Sequence, residues 1–165
     1  MSNNSYKVLV ICMGNICRSP TAEAVLKKKV RERNLNVFVD SAGTISYHAG
    51  SRPDPRSIAA GEARGYDFSE ITARSIQATD FEVFDKLLVA DNNNLEDVLS
   101  ICPPHFHYKV ELFMRYGDGE SDEIPDPYYG GARGFEHVLD LVEGAADRFL
   151  IQYSALFCLA PHSLY

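Results

Sequence analysis

The stretch Cys12-Met13-Gly14-Asn15-Ile16-Cys17-Arg18-Ser19 decides how this chain is read. An apolar run, Val8-Leu9-Val10-Ile11, precedes it, and Pro20-Thr21-Ala22-Glu23-Ala24-Val25-Leu26 follows. That order is a buried strand, a tight loop and a helix start. Pro20 suits the first helical position, where its missing N–H would be unpaired in any case, and Ser19 before it suits the N-cap. A loop that runs into a helix N-terminus aims several backbone N–H groups at one spot, and the positive end of the helix adds to them, so the junction is an anion site. Gly14 allows backbone conformations that other residues resist, letting the loop close around a tetrahedral anion. Arg18 adds a planar fork matched to two oxygens of a phosphate. Cys12 ends the strand inside the same positive field, which favours the thiolate form of a cysteine. A nucleophile beneath a phosphate cradle implies covalent phosphoryl transfer to sulfur.

Outward from the loop, strands alternate with helices. Tyr6 to Ile11 reads as a strand buried on both faces. Thr21 to Arg33 carries a helical stripe of Ala22, Val25, Leu26 and Val30, with Lys27, Lys28 and Arg31 outside. Asn36 to Ser41 is a second strand, ending in the turn signal Ser41-Ala42-Gly43-Thr44. Asp54 and Pro55 open a helix that stops at Gly65. Ala73 to Ile76 is a candidate short strand, and Phe84 to Ala90 is the third strand proper. Asp91 caps a helix over Asn93 to Ile101. Lys109 to Arg115 alternates as a fourth strand at an edge. Phe135 to Gln152 is a final helix with Val138, Leu141, Val142, Ala145 and Phe149 inward. The alternation predicts a single-domain, three-layer α/β/α fold around a four-stranded parallel sheet. Right-handed crossovers bring the loops after the strands to one edge, where ligands bind.

Ile124-Pro125-Asp126-Pro127-Tyr128-Tyr129-Gly130-Gly131 is the second segment that carries chemistry. Two prolines stiffen the backbone on either side of Asp126. Such a loop can hold one carboxyl group over a site formed elsewhere, where it could protonate a leaving phenolate.

The segment from Val10-Ile11-Cys12 through Arg18-Ser19-Pro20 resembles the nucleophile loop of the low-molecular-weight protein tyrosine phosphatases, second cysteine at Cys17 included. Other tyrosine phosphatases carry a His immediately before the nucleophile, where this chain has Ile11. Asp-Pro-Tyr-Tyr at Asp126 resembles the family's general-acid loop, and Pro53-Asp54-Pro55-Arg56, Ala73-Arg74 and Asp91 match further family segments. Many relatives carry a His shortly before Ala73, where this chain has Ile71 and Thr72.

The resemblance implies hydrolysis of phosphotyrosine through a cysteinyl-phosphate intermediate. Arg18 and the N–H groups of Met13, Gly14, Asn15, Ile16, Cys17 and Arg18 would bind the phosphate. Cys12 would attack and Asp126 would serve as acid and then base. Ser19 would hydrogen-bond the thiolate, and Asn15 would hold the loop's shape. Tyr47 would wall the substrate pocket, with Tyr128 and Tyr129 at its rim; His48 is assigned no role. Cys17 could trap an oxidised Cys12 as a disulfide. The alternatives are arsenate reduction by the same cysteine and a non-catalytic phosphotyrosine-binding module.

Composition bounds the rest. The 165 residues suffice for one domain, with residues 1–5 and the apolar stretch 153–165 as peripheral tails. A formal net charge of −7 argues against nucleic acid as a partner. No run is apolar and long enough to span a bilayer, so no membrane partner is expected. Four cysteines do not make a disulfide scaffold, and a thiolate nucleophile suits a reducing, cytoplasmic setting. No cluster has metal-ligand spacing, so neither metal nor cofactor is expected. The expected partners are phosphotyrosine proteins or small aryl phosphates, with inorganic phosphate as product and competitive ligand.

Overall fold

The computed structural model describes residues 5–128 and 130–159, with side chains described through residue 154. Four strands form one parallel sheet: β1 (Tyr6–Cys12), β2 (Val37–Gly43), β3 (Lys86–Val89) and β4 (Val110–Leu112), in the order β2-β1-β3-β4. The first strand is central because its residues are apolar at successive positions; Val8, Leu9, Val10 and Ile11 are all fully buried. Side chains alternate across a strand, and here they divide two cores. Val8, Val10 and Cys12 pack with Ala22, Val25 and Leu26 of α1 (Arg18–Glu32) and Val138, Val142 and Phe149 of α5 (Ala132–Leu159). Leu9 and Ile11 face the other way, against Phe81 of α3 (Asp80–Val83) and Val98 of α4 (Asn92–Ile101). The remaining helix, α2 (Pro55–Ala63), packs against α1 and α5. The expected three-layer architecture is present.

Four local expectations are corrected. The first helix begins at Arg18, with Cys17 in the cap position and no side-chain cap bond. Ser19 is thus inside the first turn and Pro20 is the third helical residue. The Ser19 hydroxyl is taken up by Cys12 and Asn15 and does not cap. Ala73 to Ile76 makes a single bridge, Ser75 to Gly43, and no strand. The fourth strand is confined to Val110–Leu112, because Phe113 and Met114 are both buried and the chain coils into a 3₁₀ turn over Phe113–Tyr116. The last helix starts at Ala132 and continues through Leu159, so Tyr153 belongs to it. The Tyr153 ring lies 5.1 Å from that of Phe149 and 6.3 Å from that of Tyr6. Residues 160–165 lie outside the described residues.

Strand register sets the stage for the site. Cys12 pairs with Gly43, and Ile11 pairs with both Ala42 and Val89, so the loops after β1, β2 and β3 leave the sheet at one edge. A Cβ on Gly43 would lie 2.8 Å from the Met13 carbonyl oxygen and 3.1 Å from that of Ile45. Only glycine lets the two loops approach this closely.

Candidate active site

Between Cys12 and Arg18 the backbone turns once through the left-handed region, at Asn15 (φ 57°). Gly14, expected to supply that freedom, does not have a positive φ. Its missing side chain instead leaves room for His48, whose Cδ2 would meet an added Cβ at 3.0 Å. Asn tolerates the left-handed region better than most residues because its short amide can bond locally. Here the amide is saturated. Its Nδ2 donates to Ser19 Oγ (2.8 Å) and Ser41 Oγ (3.0 Å), and its Oδ1 accepts from the Arg74 N–H (2.9 Å). The Ser41 hydroxyl donates to Glu23 Oε1 (2.5 Å), and Lys27 Nζ donates to Glu23 Oε2 (2.5 Å). Burial pushes the Glu23 carboxyl up, opposed by those two donors.

The Cys12 sulfur sits at the end of this chain, 3.0 Å from Ser19 Oγ. It lies in a cavity of about 340 Å³ lined also by Met13, Gly14, Ile16, Cys17 and Arg18 below, and by Ile45, Tyr47, His48, Asp126 and Tyr128 above. An α-helix leaves its first N–H groups without intrahelical partners, and the N-terminus of α1 forms this floor.

Arg18 is 4% exposed and spans the cavity base. Its Nη1 donates to Asp91 Oδ2 (2.6 Å) and to the Ile124 carbonyl (3.0 Å), and its Nη2 stands 3.9 Å from Asp126 Oδ2. Burial alone would lower the pKa of this guanidinium. Cys12, Asp91 and Asp126 outweigh that effect and raise it, so the charge is retained where an anion would bind. Asp91 does two things at once, capping α4 through the Asn94 N–H (2.8 Å) and holding Arg18. Asp126 is 42% exposed, and its Oδ1 accepts from the Tyr128 N–H (3.0 Å), which turns the carboxyl back toward the cavity. Cys17 is buried. Burial first, and then the Asp54 charge, push its thiol up to about 12, so it is protonated at neutral pH.

A family model described as low molecular weight phosphotyrosine protein phosphatase matches residues 7–156. The chain belongs to this family. A Synechocystis protein named as a putative low molecular weight protein-tyrosine-phosphatase is 42% identical over 148 residues, covering 87% of this chain and 94% of the relative. The crystal structure of a protein tyrosine phosphatase from Entamoeba histolytica, with Hepes in its active site, superposes with a TM-score of 0.88 at 40% identity, covering 92% of this chain and 98% of that one. A drosophila arginine phosphatase superposes with a TM-score of 0.84 at 37% identity, over 89% of this chain and 97% of its own.

Within this phosphatase fold Cys12, Met13, Gly14, Ile16, Cys17, Arg18, Tyr47, Asp126 and Tyr128 line one cavity, while Asn15 and Ser19 are buried behind it. Tyr129 lies outside the described residues. His48 was assigned no role and nevertheless lines the cavity, its ring edge-on to Tyr47 at 4.8 Å. Ile45 also lines it unforeseen. Glu23 and Ser41 were missed as supports of the loop. A carboxylate beside the apolar stripe of α1 was the one sequence signal for Glu23. The Arg74 N–H supports Asn15 directly. No group of three or more His, Cys, Asp or Glu that could hold a metal occurs among the described residues. No helix among them is long and apolar enough to cross a membrane.

Proposed function

We propose that this protein hydrolyses phosphotyrosine monoesters through a cysteinyl-phosphate intermediate. The observation that carries the reading is one cavity with a sulfur at its floor, a buried guanidinium beside it and a carboxyl at its mouth. Arg18 and the N–H groups of residues 13–18 bind the phosphate and stabilise the charge on its equatorial oxygens. The Cys12 thiolate attacks phosphorus, an S–P bond forms, and the P–O bond to the tyrosyl oxygen breaks. Asp126 gives its proton to that oxygen. As a carboxylate it then takes a proton from water, whose oxygen attacks phosphorus; inorganic phosphate leaves and the thiolate is restored, hydrogen-bonded by Ser19. Asn15 keeps the loop in shape throughout.

Tyr47, Tyr128, Ile45 and Ile16 present apolar and aromatic surface, which suits the ring of phosphotyrosine. Asp126 is the one carboxylate among the described residues lining the cavity, and the acid role already uses it. That favours an aryl ester over the cationic phosphoarginine that the name of the drosophila relative suggests. Substrates are phosphotyrosine proteins or small aryl phosphates, and phosphate competes with them. A free thiolate of this kind suits a reducing compartment such as the cytoplasm. Cys17, on the same cavity, serves as the partner that captures an oxidised Cys12.

Hydrolysis of phosphotyrosine and of phosphoarginine, each as a function of pH, tests this reading. Wild type should prefer phosphotyrosine, Cys12→Ser should bind phosphate without turnover, and Asp126→Ala should lose the falling alkaline limb of the profile. Full activity in Cys12→Ser removes the covalent step, and a preference for phosphoarginine replaces the substrate class.

A further inference from the structure

The acid loop is held at both ends, by different means. On the N-terminal side Ile124 is fully buried, its N–H bonded to the Ala90 carbonyl (2.8 Å) and its own carbonyl to Arg18 Nη1 (3.0 Å). On the C-terminal side the chain soon reaches Gly130-Gly131, a pair with little conformational restraint. What stands between Asp126 and that pair is Arg56, the second residue of α2.

The Arg56 guanidinium is a cross-piece. Its Nε and Nη2 bond Asp54 Oδ1 and Oδ2 as a fork (3.0 and 2.8 Å), and Nη2 also donates to the Tyr128 carbonyl (3.0 Å). Its guanidinium carbon lies 5.5 Å from the Tyr128 ring centre and 4.7 Å from that of Phe135. Asp54 in turn donates its N–H to the Ile16 carbonyl of the nucleophile loop (2.8 Å). A continuous path therefore runs from Ile16 through Asp54, Arg56 and Tyr128 to Asp126, whose Oδ1 accepts the Tyr128 N–H. We propose that Arg56 is a positioning residue that ties the acid loop to the nucleophile loop and keeps the Asp126 carboxyl in register with Cys12. This rests on Asp126 being the general acid.

A lysine could keep the charge, but it cannot bond Asp54 as a fork and contact two rings at once. Misplacing a reacting group by about 1 Å can lower a rate about 100-fold, and the loss falls only where the proton matters. Phosphotyrosine needs its leaving oxygen protonated, whereas 2,4-dinitrophenyl phosphate releases an anion stable enough to leave unprotonated.

The test is steady-state hydrolysis of both esters by wild type, Arg56→Ala and Arg56→Lys, with melting temperature and inhibition by inorganic phosphate measured alongside. Arg56→Ala should lose about 10- to 100-fold on phosphotyrosine, lose little on the dinitrophenyl ester, and bind phosphate as wild type does. Arg56→Lys should recover part of the loss. Adding Arg56→Ala to Asp126→Ala should cost nothing further on phosphotyrosine. An equal loss on both esters, in whichever variant stays folded, makes Arg56 a support of the fold and overturns the proposal; so does an unchanged rate on phosphotyrosine. Wild type inactive on both esters instead overturns the phosphatase reading itself.

Discussion

Ser19 Oγ stands 3.0 Å from Cys12 Sγ and 2.8 Å from Asn15 Nδ2, so one hydroxyl joins the nucleophile to the residue that shapes its loop. Accepting from Asn15 leaves the hydroxyl proton free to point at sulfur. Hydrogen bonds to charged groups contribute about 1.5–3 kcal/mol. Ser19→Ala should therefore slow turnover about 10- to 100-fold, with breakdown of the cysteinyl phosphate becoming the slow step. Rapid-quench kinetics would show a burst of phenol release followed by slow release of phosphate. Wild-type kinetics in that variant would leave the hydroxyl with a structural role only.

Asn15 separates backbone conformation from hydrogen bonding. Its φ of 57° is tolerated by glycine and resisted by alanine. Both Asn15→Gly and Asn15→Ala lose the bonds to Ser19, Ser41 and the Arg74 N–H. Asn15→Ala should be the less stable by about 1 kcal/mol, and the less active. Denaturant midpoints for the pair measure the backbone share directly; an alanine variant as stable as the glycine one would remove it.

The Cys17 thiol is held protonated, and this gives a chemical signature. Burial pushes the Cys17 thiol up to about 12. Alkylation with iodoacetamide at neutral pH should leave Cys17 unmodified, because the thiolate is the reactive form, and any label on the loop should fall on Cys12, the proposed nucleophile. Peroxide inactivation should be reversed by dithiol in wild type and become irreversible in Cys17→Ala, where no second sulfur intercepts the oxidised Cys12. Equal recovery of the two would take the redox role from Cys17. Peptide mapping reads both results.

Asp54 ties stability to pH. The Arg56 hydrogen bonds, above all, hold its carboxyl below the ordinary carboxylate range against the opposing effect of burial. A group whose folded pKa is depressed adds stability above its unfolded value, about 3.9 for Asp, and loses it as pH falls through the folded value. Wild type should therefore be more stable than Asp54→Asn near pH 7, and the gap should narrow below about pH 4. Urea midpoints at both pH values check the sign. A gap that widens in acid would contradict the assignment.

The parts read correctly from sequence are contiguous. A run of apolar residues, then cysteine, a short loop, arginine and serine, yields a strand, a tight loop and a helix, because the strand pattern and the helix terminus are local matters. The same holds for the two prolines that flank Asp126 and for Asp54 as the cap of α2.

Misreadings arose where a local preference met a tertiary demand. Ser19 has the right chemistry for a cap, but Cys12 and Asn15 claim its hydroxyl, and the helix starts two residues earlier, at Arg18. The Lys109 to Arg115 alternation ends early because two successive residues, Phe113 and Met114, are both drawn into the core.

By itself, then, the sequence determined which residues sit together in the loop and the order of strands and helices, since those follow from neighbours along the chain. Only the tertiary structure decided which side chains hold that loop in place. Glu23 reaches Asn15 through Ser41, and Arg56 reaches Asp126 through Tyr128, across surfaces that meet only when α1, β2, α2 and the acid loop pack against one sheet edge. Hydrogen bonds across such surfaces depend on distances set by the packing of whole elements, and no spacing along the chain encodes them.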